Sequence, residues 1–400
     1  MRSRRGFHQL VGGYDPHTKL PILDINFLVI LFTLRSVREA ISDGDDRNLN
    51  AIVRDVGSNR SAIQHGAVAM NRRKIGLVGY FGYGNYGDEL FLDVYRKFFY
   101  DCEVSVLQDS LKSPIYSDKA YAKIDSLDAI IIGGGDLLLP KYFASSYFDE
   151  RFLAKPIYVH GVGVPLWTGE DPAVVARIAE FLRHPNVRRI NARDRESARW
   201  IIEKLKPSAP VEYSVDMVFT LDFPKPARDP KRKVFGLITR KLTPGQTRWD
   251  NITALCERAR GLGYHVRNIV LGTGQIRDDD LAGLSEWDYP HAELVDPNDI
   301  HALTTEIGAC DVIASTKFHG CVVAMAYGVP AITLTTTDKF LNLYRLIDRE
   351  DLISHFIHDD IPDRLPKYIA PIPRSTRAAL RNDSTAAMIR LRRAVLDEAD

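Results

Sequence analysis

From Lys74 onward the chain alternates short, nearly uncharged apolar runs with stretches whose apolar residues recur at helical spacing. No other feature limits the fold as much. Runs such as "KIGLVGY", "DAIIIGGG" and "KPIYVHGVGVP" are apolar along their length rather than at every second position. Strands of that kind are buried on both faces, which requires a parallel sheet covered by helices. Between the strands, "DELFLDVYRKFF" sets Leu90, Val94 and Phe98 on one helical stripe. "EVSVLQD", "VRRINARD" and "VEYSVDMVF" complete the first series. A second series follows, with strands at "VFGLITR", "HVRNIVLG", "DVIAST" and "PAITL". Its helices are expected at Trp249–Leu262, Asp299–Cys310, "HGCVVAMAYG" and "DKFLNLYRLI".

The two series are separated by "LDFPKPARDPKRK", residues 221–233, whose three prolines and many charges suit a linker. A chain of 400 residues at 45% hydrophobic composition can fill two cores. The expected fold is α/β: two doubly wound parallel-sheet domains facing a cleft. The expected bounds are an extension over residues 1–72 and an N-terminal α/β domain over 73–222. A linker at 223–233, a C-terminal α/β domain over 234–373 and a charged helix over 374–400, packing back on the first half, complete the division. Ligands of such sheets bind outside the carboxyl ends of the strands.

The extension shows little sustained periodicity, and Met70, just before the alternation begins, is a candidate translation start. Its apolar stretch "FLVILFTL", Phe27 to Leu34, falls short of the roughly 20 residues that span a bilayer. With no small-residue cleavage site close behind, it is expected to be a packing segment and not a signal peptide. The 53 basic and 52 acidic residues give a formal net charge of +1, so no global field favours nucleic acid or an acidic membrane surface. The four cysteines form no CxxC pair, which fits a reducing cytoplasm. The sequence holds no convincing metal-ligand cluster.

"GYFGYGNYGDEL", residues 79–90, concentrates four glycines at a helix mouth. Gly82, Gly84 and Gly87 fit the dinucleotide pattern G-x-G-x-x-G, and Asp109 lies where a ribose acid would sit. Against that reading, Asp88 and Glu89 occupy the first helical turn, where they can cap the amides and compete with a pyrophosphate. A second reading turns Asn85 and Asp88 toward an uncharged, hydroxyl-rich substrate, with the glycines admitting close approach. A third is a tight turn with no ligand.

"STKFHGCVVAMAYGVPAI", residues 315–332, places Lys317 and His319 at the mouth of a helix beginning near Gly320. A cation, an imidazole and free amides at a helix N-terminus make an anion site, and the imidazole can move protons. Asp338 and Lys339 follow the next strand. In the first half, Gly133 to Asp136, with Gly134 inside it, form another close-approach loop. Arg193 ends a strand ahead of a helix containing Ser197, and Arg240 ends the first strand of the second half. One such arginine is ordinarily a surface ion pair; several cations on one cleft point to an anionic ligand.

Taken in order and spacing, "GNYGDE", "IIIGGGDLL", "ARDRES", Val215–Asp216 and "STKFHGCVVAMAYGVPAI" followed by "DK" resemble the polysaccharide pyruvyl transferases. The resemblance covers roughly Lys74 to Ile347. It implies a fold like the two-domain GT-B glycosyltransferases and transfer of the enolpyruvyl carbons of phosphoenolpyruvate to a sugar as a pyruvate ketal. Phosphoenolpyruvate is then a co-substrate, with no cofactor and no metal. The family usually has arginine where this chain has Lys317. The resemblance implies His319 and Asp88 as catalytic groups and Lys317, Arg193, Gly320, Arg240 and Lys339 on the donor. Asn85, Gly84, Gly87, Gly134 and Asp136 would line the acceptor side.

The acceptor would be a sugar or a lipid-linked oligosaccharide of a surface polymer, lipopolysaccharide or exopolysaccharide. The setting would be cytoplasmic, with peripheral contact at the inner membrane face and no nucleic-acid partner. The sequence leaves the oligomeric state and the acceptor sugar open. Two other enzymes fit parts of the pattern: a nucleotide-sugar-dependent glycosyltransferase of the same build, and a dinucleotide-dependent oxidoreductase using Gly82, Gly84, Gly87 and Asp109. A non-catalytic sugar-binding relative is the remaining alternative.

Overall fold

The computed structural model describes residues 72–397, and they belong to one compact unit. "FLVILFTL", Met70 and nearly all of the expected extension lie outside the described residues. Six strands build the first sheet: β1 (Lys74–Val78), β2 (Glu103–Val106), β3 (Ala129–Gly135), β4 (Ile157–Val162), β5 (Val187–Ala192) and β6 (Val211–Tyr213). Five build the second: β7 (Lys233–Ile238), β8 (Tyr264–Ile269), β9 (Ala292–Val295), β10 (Val312–Ser315) and β11 (Ala331–Thr333). Their orders are β2-β1-β3-β4-β5-β6 and β11-β10-β7-β8-β9. Every neighbouring pair is parallel.

The crossovers are the helices α1 (Tyr86–Phe98), α2 (Asp118–Ile124), α3 (Pro172–Leu182) and α4 (Arg195–Trp200) in the first half. In the second they are α5 (Trp249–Gly261), α6 (Gly274–Leu284), α7 (Ile300–Ala309) and α8 (Phe318–Tyr327), followed after the last strand by α9 (Asp338–Leu346), α10 (Ile361–Tyr368) and α11 (Arg374–Asp397). None of the described helices is long and apolar enough to cross a membrane.

Each sheet reverses its strand order once. The first does so between β1 and β3, the second between β7 and β10. Crossover chains leave in opposite directions at such a point and open a crevice at the strands' carboxyl ends. Each sheet therefore brings one crevice to the site.

The halves share buried packing. One core cluster runs from Ile75, Tyr86 and Phe91 of the first half into Phe235, Phe318 and Phe340 of the second. A second cluster, with Ile130, Phe152 and Leu182, fills the other face of the first sheet. The buried Tyr86 hydroxyl lies 2.6 Å from that of Thr304 on α7. Helix α11 returns to the first half, where Tyr158 donates to the Ala394 carbonyl (2.9 Å) and Arg390 to Glu212 (3.0 Å).

Three local features differ from the sequence expectation. Only Val211–Tyr213 of "VEYSVDMVF" is a strand; the Asp216 carboxylate then accepts the Val218 amide (3.0 Å) and starts a 3-10 turn over Met217–Thr220. Strand β9 is a short edge whose middle residues, Glu293 and Leu294, are exposed, so it lacks a buried run. Helix α6 carries three consecutive aspartates, and of its residues only Asp280 is buried, so it shows no apolar stripe.

Candidate active site

A cavity of about 530 Å³ lies between the carboxyl ends of the two sheets. Residues after β1, β3 and β5 line one side, and residues after β7, β10 and β11 the other.

The glycine-rich loop after β1 is held from both ends by protein groups. Glu89, in the first turn of α1, accepts the Gly82 amide at 2.8 Å and the Gly84 amide at 3.1 Å with one carboxylate oxygen. Those amides are the ones a pyrophosphate would need. The Gly84 carbonyl accepts the Thr273 amide of the second half (2.9 Å), and Asn85 bridges to Gly272. At Gly87 a methyl group would overlap the His319 ring, and at Gly134 it would overlap Phe91. The glycine at 87 thus admits a side chain of the second half. Asp109 is bonded to Ser117, whose amide lies 3.1 Å from its carboxylate. Both anchors of the dinucleotide reading are already occupied by the chain itself.

His319 sits in the first turn of α8, its ring edge-on to Phe91 (5.1 Å) and Phe318 (5.3 Å). Its Nε2 lies 3.3 Å from the carboxylate of Asp216, which is 3% exposed. Burial alone would raise the Asp216 pKa, but His319 and Arg193 outweigh it and hold the carboxyl below its ordinary value. Asp216 also keeps its backbone fixed, because Ser384 of α11 donates to its carbonyl (3.0 Å).

Asp136, just past β3, meets two cations. Arg193 forms an ion pair with one carboxylate oxygen, and Lys339 Nζ lies 2.9 Å from the other. Both cations face the Phe318 ring, at 5.0 and 5.6 Å from its centre. Burial acts to raise the Asp136 pKa, and Arg193 and Lys339 together bring it below the usual value. Arg193 is 6% exposed, whereas the Lys339 side chain retains 24% and reaches the cavity. Asp216 and Asp194 also lie within electrostatic reach of Arg193, so Lys339 is the partly exposed cation that this cluster presents to the cavity.

Lys317 is differently placed. Its ammonium pairs with Asp280 of α6 and donates to the Leu271 carbonyl at 2.7 Å. Burial lowers its pKa, opposed by Asp280. One charge against one leaves no surplus. The Gly320 amide donates to the Lys317 carbonyl (3.1 Å), so it is not free for a ligand. Arg240 lines the cavity, is exposed, and makes no ion pair among the described residues.

Asp88, on the first turn of α1, is 8% exposed and lines the cavity. Burial raises its pKa well above the carboxylate range, against the pull of Lys339 and Arg193. The Asn85 side chain makes no hydrogen bond among the described residues and lines the same cavity. Asp88, Asp136, Arg193, Arg240, Lys317, His319 and Lys339 thus converge on one space. Sequence reasoning assigned no role to Asp216 and did not find Asp280. Asp216 lay in a quoted dipeptide with no chemistry of its own, and Asp280 in an aspartate run on a helix with no stripe.

The family model described as "Polysaccharide pyruvyl transferase" matches residues 85–338, more than half of the chain. No curated protein is similar to the chain in sequence. Among solved structures, the chain resembles the glycotransferase of kitacinnamycin, with TM-score 0.50 and 11% identity over 82% of this chain and 100% of that one. It also resembles UDP-GlcNAc 2-epimerase from Neisseria meningitidis bound to UDP-GlcNAc, with TM-score 0.50 and 14% identity over 80% and 99% of the two chains. Both likenesses are of fold: the paired parallel-sheet architecture of GT-B glycosyltransferases and epimerases.

Proposed function

The chain belongs to the polysaccharide pyruvyl transferase family, and from that premise we propose that it moves the enolpyruvyl carbons of phosphoenolpyruvate onto two hydroxyls of a sugar. The product is a cyclic pyruvate ketal on a surface polysaccharide or its lipid-linked precursor. The observation that carries this reading is the Arg193–Asp136–Lys339 cluster beside His319. A small donor bearing both a phosphate and a carboxylate needs cations within reach of a proton donor.

In this account Lys339 and Arg193 hold the donor's anionic groups, with Arg240 as a further cation at the rim. His319, oriented by Asp216, gives a proton to the terminal carbon, which makes C2 electrophilic. A sugar hydroxyl adds to C2, and Asp88 takes its proton as the base. Phosphate leaves, and the second hydroxyl closes the ketal. One hydroxyl proton replaces the one consumed at carbon, and the other leaves with phosphate. Burial raises the Asp88 pKa, so the ionised form that accepts the proton is populated only as pH rises. Asn85 and the wall formed by Gly84, Gly87 and Gly134 bound the acceptor side. A lipid-linked acceptor would bring the enzyme to the cytoplasmic membrane face.

The test is to incubate the protein with phosphoenolpyruvate and a panel of sugar acceptors, following phosphate release and the ketal methyl resonance. His319→Ala is expected to abolish both signals while the thermal unfolding profile stays cooperative. Full turnover in that variant removes this mechanism.

A further inference from the structure

The cavity has a side that the donor chemistry leaves unused. Tyr80, just past β1, and Tyr147, on the loop after β3, line it near Asp88, and Trp167, on the loop after β4, lines the same cavity. Tyr80 is stacked on Tyr83, with ring centres 4.2 Å apart and planes 2° from parallel, so its ring plane is fixed. Tyr80 and Tyr147 both lie within electrostatic reach of Asp88. Neither hydroxyl makes a hydrogen bond among the described residues, so both remain available to a ligand. Trp167 is 49% exposed at the lip, and its backbone amide donates to Asp338 of α9 at 3.2 Å. That bond ties the position of the Trp167 backbone to the helix that also carries Lys339.

Aromatic rings lining a cavity, half-buried at Tyr80 and Tyr147 and exposed at Trp167, select ligands with a flat apolar face and a polar edge. A pyranose is such a ligand. Its axial C–H bonds give one face a weakly positive, apolar surface that matches the negative face of an aromatic ring, while its hydroxyls point outward. A phosphate or carboxylate gains little there and goes to Arg193 and Lys339.

We propose that Tyr80, Tyr147 and Trp167 form the acceptor subsite, where a neutral pyranose lies against the aromatic faces with its hydroxyls directed at Asp88. This rests on the proposed transfer to a sugar. It adds which residues hold that sugar, and that the recognised feature is a ring face and not a charge.

The experiment is a tryptophan-fluorescence titration of the full chain with methyl β-galactopyranoside, methyl α-mannopyranoside and methyl N-acetyl-β-glucosaminide. Sorbitol serves as a hydroxyl-rich control without a ring face. At least one pyranoside is expected to give a saturable change, and sorbitol none. Tyr80→Ala should weaken the apparent affinity about tenfold or more, and Tyr80→Phe, which keeps the ring, only about twofold. Trp167→Phe should remove most of the signal, while binding followed by calorimetry persists. Phosphoenolpyruvate is titrated in parallel by thermal shift. Donor binding with no saturable pyranoside response, or an unchanged affinity in Tyr80→Ala, overturns this subsite and leaves the donor reading standing. Pyranoside binding lost in Tyr80→Ala without any donor binding upholds the subsite and removes the donor reading.

Discussion

His319 Nε2 lies 3.3 Å from the Asp216 carboxylate, joining a helix mouth of the second half to a loop of the first. A buried carboxylate thus faces the imidazole that lines the cavity. Asp216→Asn is therefore expected to lower kcat by about 10²-fold or more, the range of a lost proton-transfer partner, with little change in the KM for phosphoenolpyruvate. Steady-state kinetics with phosphoenolpyruvate check this; an unchanged kcat with a raised KM would make Asp216 part of donor binding and not of proton transfer.

Asp88 carries an opposite sign. Its folded-state pKa is raised, so it holds a proton that the unfolded chain gives up, and stability falls as pH rises past the unfolded value, near 4. Asp88→Asn cannot ionise. It should be inactive, yet more stable than the parent, by a margin that grows as pH rises from near 4 and levels off above the raised folded value. Melting temperatures of the two proteins across pH 5 to 9 decide the matter. A destabilised, inactive variant would mean that the carboxyl is a structural ligand of Lys339.

For Asp136 the folded pKa is depressed. Its contribution is complete above the unfolded value, near 4, and is lost as pH falls through the depressed one. Asp136→Ala leaves Arg193 buried without its closest partner, a loss of about 3–5 kcal/mol at neutral pH. The deficit should shrink on acidification, which denaturant titrations at pH 7 and pH 3 would show.

Lys317 and Lys339 should part company. Lys317→Met leaves Asp280 buried beside an apolar chain and should cost stability, much of it restored by adding Asp280→Asn. Lys339→Met should unfold close to normally and fail to bind the donor. Identical profiles for the two variants would contradict the division of charge described above.

Gly87→Ala brings a methyl group onto the His319 ring. The expected result is about 1–3 kcal/mol of destabilisation together with a loss of turnover, since the ring must move to make room. Unchanged turnover would show that the ring position is not critical.

The strands around "DAIIIGGG" and "VFGLITR" were legible because both of their faces are buried, which leaves a continuous apolar run. The site was legible where its residues follow such strands: Asp136, Arg193, Arg240, His319 and Lys339 all sit just past a strand's carboxyl end. What could not be read was pairing. Nothing in the spacing tells that Asp216 faces His319, that Asp280 takes up Lys317, or that Gly87 clears space for a ring from the other half. Such contacts depend on how the two sheets dock. Helix α6 and strand β9 were missed because their sides are polar enough to hide the period.

The central claim is that Lys339 and Arg193, the two cations at Asp136, receive phosphoenolpyruvate. The most direct measurement is a thermal-shift titration of the parent protein and Lys339→Met with phosphoenolpyruvate and, separately, UDP-sugars. At about a hundred times its dissociation constant a ligand stabilises by ~2.7 kcal/mol, which such a titration resolves. The account predicts a saturable shift with phosphoenolpyruvate, absent in Lys339→Met, and none with UDP-sugars. A shift with UDP-sugars alone would contradict it and place the chain's chemistry with the glycosyltransferases.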